Sequence, residues 1–233
     1  MTTLENKMTV LFDFDGVIVN TIPLHYQAWK EALEEYITLL FDDYLEKIDG
    51  KSRIVGIQTV LPDATESQIA YLSRKKQALF IRLVEGNGVP VFESSLTLLR
   101  NLRNRGISCG LVSSSRNCRY LLSRLNIESS FDVIISGSET PVGRGKPQPD
   151  VFLMGMNKMN GQPESTIVIE DSYAGILAAR NAGMKCVAIN RRGISFHALP
   201  DIVVNDLSEL SFDRLKNITK NNNFVEYKES VHE

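Results

Sequence analysis

Met8-Thr9-Val10-Leu11-Phe12-Asp13-Phe14-Asp15-Gly16 is the stretch on which the reading of this chain turns. Residues 8–12 are apolar or β-branched and carry no charge, the pattern of a buried strand. The run ends in two carboxylates and a glycine. In extended backbone, side chains two residues apart point to one side, so Asp13 and Asp15 face the same place and Gly16 lets the chain turn away. Two anions that close call for a cation between them. Taken alone, the tetrapeptide fits equally well an Asp-rich turn that caps a helix starting near Asn20.

Outward from this strand, residues 24–40, 54–61 and 66–84 read as helix with no strand between them. From Phe92 the rhythm changes to helix 96–104, strand 107–112, helix 118–125, strand 131–136, helix 150–159, strand 167–170, helix 174–182 and strands 185–189 and 202–204. That alternation predicts an α/β fold, a doubly wound parallel sheet with crossover helices on both faces. The all-helical segment then reads as a small α-helical cap domain inserted after the first strand. The expected division is a core of residues 1–20 and 89–220, a helical cap of 21–88, and a frayed tail over 221–233. The polar turn after Thr21 and Glu85-Gly86-Asn87-Gly88 are the expected hinges.

Composition sets the limits. The 233 residues suffice for one core domain and a small insertion. A net charge of −2 and an isoelectric point near 6.0 give no global reason to expect nucleic acid or an anionic membrane as partner. The first seven residues lack the layout of a signal peptide, and no apolar run reaches membrane-spanning length. A soluble, cytoplasmic protein, monomeric in state, is expected. Cys109, Cys118 and Cys186 have no metal-site spacing and read as buried reduced thiols.

In an open parallel sheet the ligand lies at the carboxyl ends of the strands. Three of those ends carry suitable groups. Strand 107–112 runs into Ser113-Ser114-Ser115-Arg116-Asn117, hydroxyls and N–H groups leading into a helix, which suit an anion or a plain cap. Strand 131–136 leads to Gly145-Lys146-Pro147, where prolines stiffen the chain around a lysine able to neutralise phosphate or aspartate. Strand 167–170 ends in Glu170-Asp171-Ser172, a second acidic pair. Carboxylates without histidine or thiolate clusters are hard oxygen ligands that favour Mg²⁺, an ion that also suits a phosphate substrate.

Asp13-Phe14-Asp15-Gly16-Val17, Leu111-Val112-Ser113-Ser114, Gly145-Lys146-Pro147 and Ile169-Glu170-Asp171-Ser172-Tyr173-Ala174-Gly175-Ile176, in that order, resemble the four motifs of the haloacid dehalogenase superfamily. The resemblance implies that Asp13 is the nucleophile that forms an aspartyl-phosphate and Asp15 the general acid/base. It implies that Ser113, the Ser114 N–H and Lys146 bind phosphate. Mg²⁺ would sit on Asp13, the Asp15 carbonyl and Asp171, with Glu170 a ligand or just behind one. Asp15 must then be protonated at times near neutral pH while Asp13 stays ionised, a splitting that Mg²⁺ and Lys146 would enforce.

The helical cap resembles the branch that contains β-phosphoglucomutase and many sugar-phosphate phosphatases. Thr21, His25 and Trp29 in Thr21-Ile22-Pro23-Leu24-His25-Tyr26-Gln27-Ala28-Trp29, the loop Gly50-Lys51-Ser52-Arg53, Lys75 in Arg74-Lys75-Lys76, and Ser115-Arg116-Asn117 resemble its substrate-contacting stretches, with Lys75 the better-aligned lysine. Arg53 and Lys75 would anchor the distal end of a small phosphorylated sugar. The chain departs from the pattern at Asn20, at Glu93-Ser94 and in a long loop over 137–144 before Lys146. The expected function is β-phosphoglucomutase-like phosphoryl transfer. The alternatives are a sugar-phosphate phosphatase and, remotely, a non-catalytic binding protein on the same scaffold.

Overall fold

The computed structural model describes residues 8–141, 143–193, 196 and 200–220. The tail expected to fray, 221–233, lies outside them. Six strands, β1 (Thr9–Phe12), β2 (Ser108–Val112), β3 (Val133–Ile135), β4 (Thr166–Glu170), β5 (Lys185–Ile189) and β6 (Ile202–Val204), form one sheet in the order β3-β2-β1-β4-β5-β6. Every neighbouring pair is parallel. β1, β4 and β5 are buried along their whole length, which is why they read as unbroken apolar runs rather than alternating ones.

Helices cover both faces. Val10, Phe12, Leu111, Ile167 and Ile169 point to one face, where they meet α5 (Glu93–Asn104), α6 (Cys118–Leu125) and α9 (Phe212–Lys220) through Leu98, Leu102, Leu121 and Leu215. Leu11, Val112, Val168 and Cys186 point to the other, against Phe152 and Met156 of α7 (Asp150–Lys158) and Ile176 and Ala179 of α8 (Tyr173–Asn181). Cys109, Cys118 and Cys186 are free and buried, as expected of core thiols.

Between β1 and α5 lie α1 (Ile22–Leu33), α2 (Phe41–Lys47), α3 (Arg53–Val60) and α4 (Glu66–Asn87). They enclose an apolar cluster of their own, including Ile22, Trp29, Leu33, Tyr44, Ile57 and Leu72, while Ala28, Phe80 and Val84 join the cluster on the sheet. The helix expected over 24–40 ends at Leu33: a turn over residues 34–36 follows, in which the Tyr36 and Ile37 N–H groups both donate to the Leu33 carbonyl (2.9 and 3.0 Å), and Leu39 beyond it is buried in the core. A separate helix, α2, then starts with Asp42 and Asp43 in its first turn, where acids suit the helix dipole.

Of residues 85–88, expected to form a hinge, three are helical. α4 runs through Asn87, with Gly86 inside it, and stops at Gly88, whose φ of +73° ends the helix. The two crossings into the helical segment then run side by side. The Asn20 N–H donates to the Pro90 carbonyl (2.8 Å), the Phe92 N–H donates to the Ile18 carbonyl (2.9 Å), and Val19 pairs antiparallel with Val91. Among the described residues no helix is long and apolar enough to cross a membrane.

Candidate active site

The strand order reverses at β1, with β2 on one side and β4 on the other, so the crevice at their carboxyl ends is the natural ligand position. The register pairs Phe12 with Leu111 and with Ile169, which brings Asp13 and Glu170 out of the sheet at the same level. The Asp13 N–H extends the ladder to the Ile169 carbonyl (2.9 Å). Oxygens of Asp13, Glu170 and Asp171 lie within 4.8 Å of one another. Lys146, 1 % exposed, places its ammonium against Asp13 and 2.5 Å from Glu170 Oε1, with the Phe152 ring behind it.

Two glycines make this crowding possible. Gly16 turns the chain at a φ of +87°, and a Cβ there would overlap the Asp171 carboxylate. In α8, a Cβ at Gly175 would overlap the Glu170 carboxylate. Glu170 is held from behind: its Oε2 accepts the N–H groups of Asp171 and Ser172 (both 2.8 Å) and the Ser172 hydroxyl (3.0 Å). Ser172 also caps α8 by accepting from the Gly175 N–H (3.1 Å).

Asp15 faces the helical segment. Its Oδ1 accepts the Thr21 hydroxyl (2.5 Å) and lies 3.2 Å from His25 Nε2, while Oδ2 accepts from Ser113 Oγ (3.3 Å). His25 stacks on Phe80 at 4.1 Å, and its Nδ1 lies 2.6 Å from Lys76 Nζ. A neutral His25 protonated on Nε2 satisfies both contacts, donating to Asp15 and accepting from Lys76.

Asp13, Asp15, Asp171, Ser114 and Lys76 border one cavity of about 510 Å³ between the sheet edge and the helices. His25, Trp29, Gly50, Ser52, Arg53, Ser115, Arg116 and Asn117 line it too. Ser52 caps α3, and Arg53 reaches across to donate to the Ser73 carbonyl (2.9 Å). Asn117 accepts from Gln77 Nε2 (2.5 Å), and Ser114 Oγ donates to the Gly50 carbonyl (2.8 Å), so core loops and helices meet over the cavity. Lys75, the cap lysine expected at the site, is elsewhere: it pairs with Glu35 (2.9 Å) and Glu34 (3.4 Å) on the outside of α4. One residue along a helix is a turn of about 100°, so Lys76 takes the inward place. Arg144 pairs with Asp150 (3.2 Å) on the surface.

A family model for haloacid dehalogenase-like hydrolases matches residues 10–189. The chain belongs to this family. It is 35 % identical over 217 residues to a β-phosphoglucomutase of Bacillus subtilis, spanning 88 % of this chain and 92 % of that one. It is 30 % identical over 183 residues to a phosphorylated carbohydrates phosphatase of Thermotoga maritima, spanning 76 % of this chain and 82 % of that one. The crystal structure of a β-phosphoglucomutase from Clostridium difficile superposes with a TM-score of 0.79 at 26 % identity, covering 92 % of this chain and 97 % of that one. The chain is an enzyme of the haloacid dehalogenase-like type, with the family's parallel sheet.

The electrostatics of this haloacid dehalogenase-like site divide it in two. Burial pushes the Asp13 carboxyl well above the ordinary carboxylate range, Lys146 pulls it back, and Glu170, Asp171 and Asp15 push it up again. Asp171 is raised in the same way, by burial, with Arg192 opposing. Asp13, Glu170 and Asp171, with Asp49 beside them, are four carboxyls that share two cations, Lys146 and Arg192, and are short of positive charge. That all-oxygen donor set fits a hard divalent cation. Asp15 goes the other way: burial raises it, but His25, Thr21 and Lys76 outweigh burial and hold it below its usual value. Without metal Asp13 is thus raised and Asp15 lowered, because Asp13 lies among acids and Asp15 among donors. Lys76 is pushed down to about 7 by burial, helped by Arg53.

Sequence reasoning missed Lys76, Asp49 and Arg192. Arg192 donates to Asp171 Oδ2 (2.9 Å) and to Asp49 Oδ2 (3.1 Å). Only the general trend of charges at strand ends pointed toward Arg192, and nothing local pointed toward Asp49.

Proposed function

We propose that this enzyme moves a phosphoryl group between hydroxyls of a small phosphorylated sugar through an aspartyl-phosphate on Asp13, as a β-phosphoglucomutase does. In this reading residues 21–88 are a cap that opens to admit the sugar and closes over it. Asp13, Glu170 and Asp171 would hold Mg²⁺, aided by the Asp15 carbonyl. When bound, the metal would neutralise the carboxylates and the phosphoryl oxygens.

A carboxylate oxygen of Asp13 attacks phosphorus as the bond from phosphorus to the sugar oxygen breaks, and Asp15 supplies the proton to that oxygen. In the return step Asp15 takes the proton of the accepting hydroxyl as its oxygen attacks the aspartyl-phosphate and frees Asp13. Lys146, Ser113 and the Ser114 N–H steady the phosphoryl group in flight.

The observation that carries this reading is a second group of cations in the cavity, besides Lys146. Arg53, Arg116 and Lys76 border the same cavity as Asp13 and Asp15, so a sugar bisphosphate would meet these cations as well as Lys146 behind Asp13. Relatives such as the Thermotoga maritima phosphatase keep water as the rival acceptor. To separate the two, β-glucose 1-phosphate is incubated with Mg²⁺ and a trace of glucose 1,6-bisphosphate. Glucose 6-phosphate should accumulate with little free phosphate; phosphate release without isomerisation would mean a phosphatase.

A further inference from the structure

Asp49 and Arg192 have no role in the chemistry above, yet they meet beside it. Asp49 is 7 % exposed, in the turn after α2, and Arg192 follows β5. The Arg192 guanidinium is divided between the two layers. Its Nη2 donates to the Asp171 carboxylate (2.9 Å) and to the Asp171 main-chain carbonyl (3.0 Å), while its Nη1 donates to Asp49 Oδ2 (3.1 Å). The other Asp49 oxygen accepts from the Tyr44 hydroxyl of α2 (3.1 Å), which fixes the carboxylate on the helical side.

The next residue makes the same crossing. Gly50, at a φ of +73°, offers its carbonyl to Ser114, and a Cβ there would overlap the Ser172 hydroxyl. Residues 49 and 50 thus touch the loops that follow β2, β4 and β5 at once. Arg192 is anchored twice on Asp171 and once on Asp49, so the single bond to Asp49 is the one that parts when the layers separate.

We propose that Asp49 and Arg192 are positioning residues that form a latch, holding the helical layer closed over the cavity and joining its closure to the seating of Asp171. This rests on the reading of residues 21–88 as a moving cap. An ion pair suits a reversible latch, because the two groups are hydrated when apart and, when together, attract enough to favour closure without making it permanent.

The test uses the full chain and Asp49→Asn, which keeps the shape and the Tyr44 partner but removes the charge. Small-angle scattering without substrate should give Asp49→Asn a larger radius of gyration than the wild type, and Tyr44→Phe an intermediate one. Its KM for a phosphorylated sugar should rise about tenfold, with kcat less affected. In an Arg192→Gln background the Asp49→Asn change should have no further effect. Scattering curves that superimpose for wild type and both variants would overturn the latch, as would an equal Asp49→Asn effect in both backgrounds. The scattering needs no turnover, so it stands apart from failure of the mutase reading, which would show as absence of isomerisation in the wild type.

Discussion

Lys146→Met removes the ammonium from the acidic floor and leaves a side chain of similar length. The lysine is 1 % exposed and contacts both Asp13 and Glu170, so the variant leaves Asp13, Glu170 and Asp171 together without it. The cost is limited by the alternative open to a carboxylate, which is to take up a proton. For an ordinary value near 3.8, protonation at pH 7 costs about 4 kcal/mol at ~1.4 kcal/mol per pH unit. Breaking a buried pair by removing one partner costs about 3–5 kcal/mol, the same size. For a chain of this length, 4 kcal/mol corresponds to a midpoint lower by roughly 8–16 °C.

The assay is thermal unfolding in chelator at pH 7 and pH 5, then with Mg²⁺. Asp13 and Asp171 have folded pKa values raised by burial, so the penalty of leaving them charged is present at high pH and relieved as pH falls. At pH 5 the loss should shrink to about 2 kcal/mol. Mg²⁺ should also narrow the gap by taking the place of the ammonium. Equal midpoints in chelator at pH 7, or a gap indifferent to both pH and Mg²⁺, would refute the reasoning.

The other expectations concern single groups. Asp15→Asn should slow turnover about 10²–10⁴-fold through lost proton transfer, while acid-quench labelling still detects phosphate on the protein. Lys75→Ala should leave KM for a sugar phosphate within about twofold, because exposed pairs are worth little, whereas Lys76→Met should raise it about tenfold or more. Lys76 near 7 is cationic below that pH and neutral above it, so KM should rise from pH 6 to pH 8; Lys76→Arg should flatten that rise, measured on initial rates. Gly175→Ala should cost about 1–3 kcal/mol in a denaturant titration, since its Cβ displaces Glu170.

The parallel sheet was legible because buried strands such as β4 and β5 are short apolar runs that stop at polar residues, a pattern independent of what packs on them. The acidic floor was legible for the same reason, each acid lying at the end of such a run. α9 was not: only Phe212, Leu215 and Ile218 repeat on its inner side, and its cap, Ser211 Oγ accepting the Arg214 N–H (3.1 Å), is a signal that a closer reading would find. Lys76 rather than Lys75 follows from the phase of α4, which is set by Leu72 and Phe80 packing inward. The Asp49–Arg192 pair joins residues far apart in the chain through the docking of two layers, and no local pattern encodes such a meeting.

The proposed reaction passes through covalent phosphate on Asp13. The direct measurement is a single turnover with radiolabelled sugar phosphate and Mg²⁺, quenched in acid, followed by mapping of the labelled peptide. Label should appear on the peptide that carries Asp13 in the wild type and be absent in Asp13→Asn. Label on another residue, or undiminished turnover by Asp13→Asn, would contradict it.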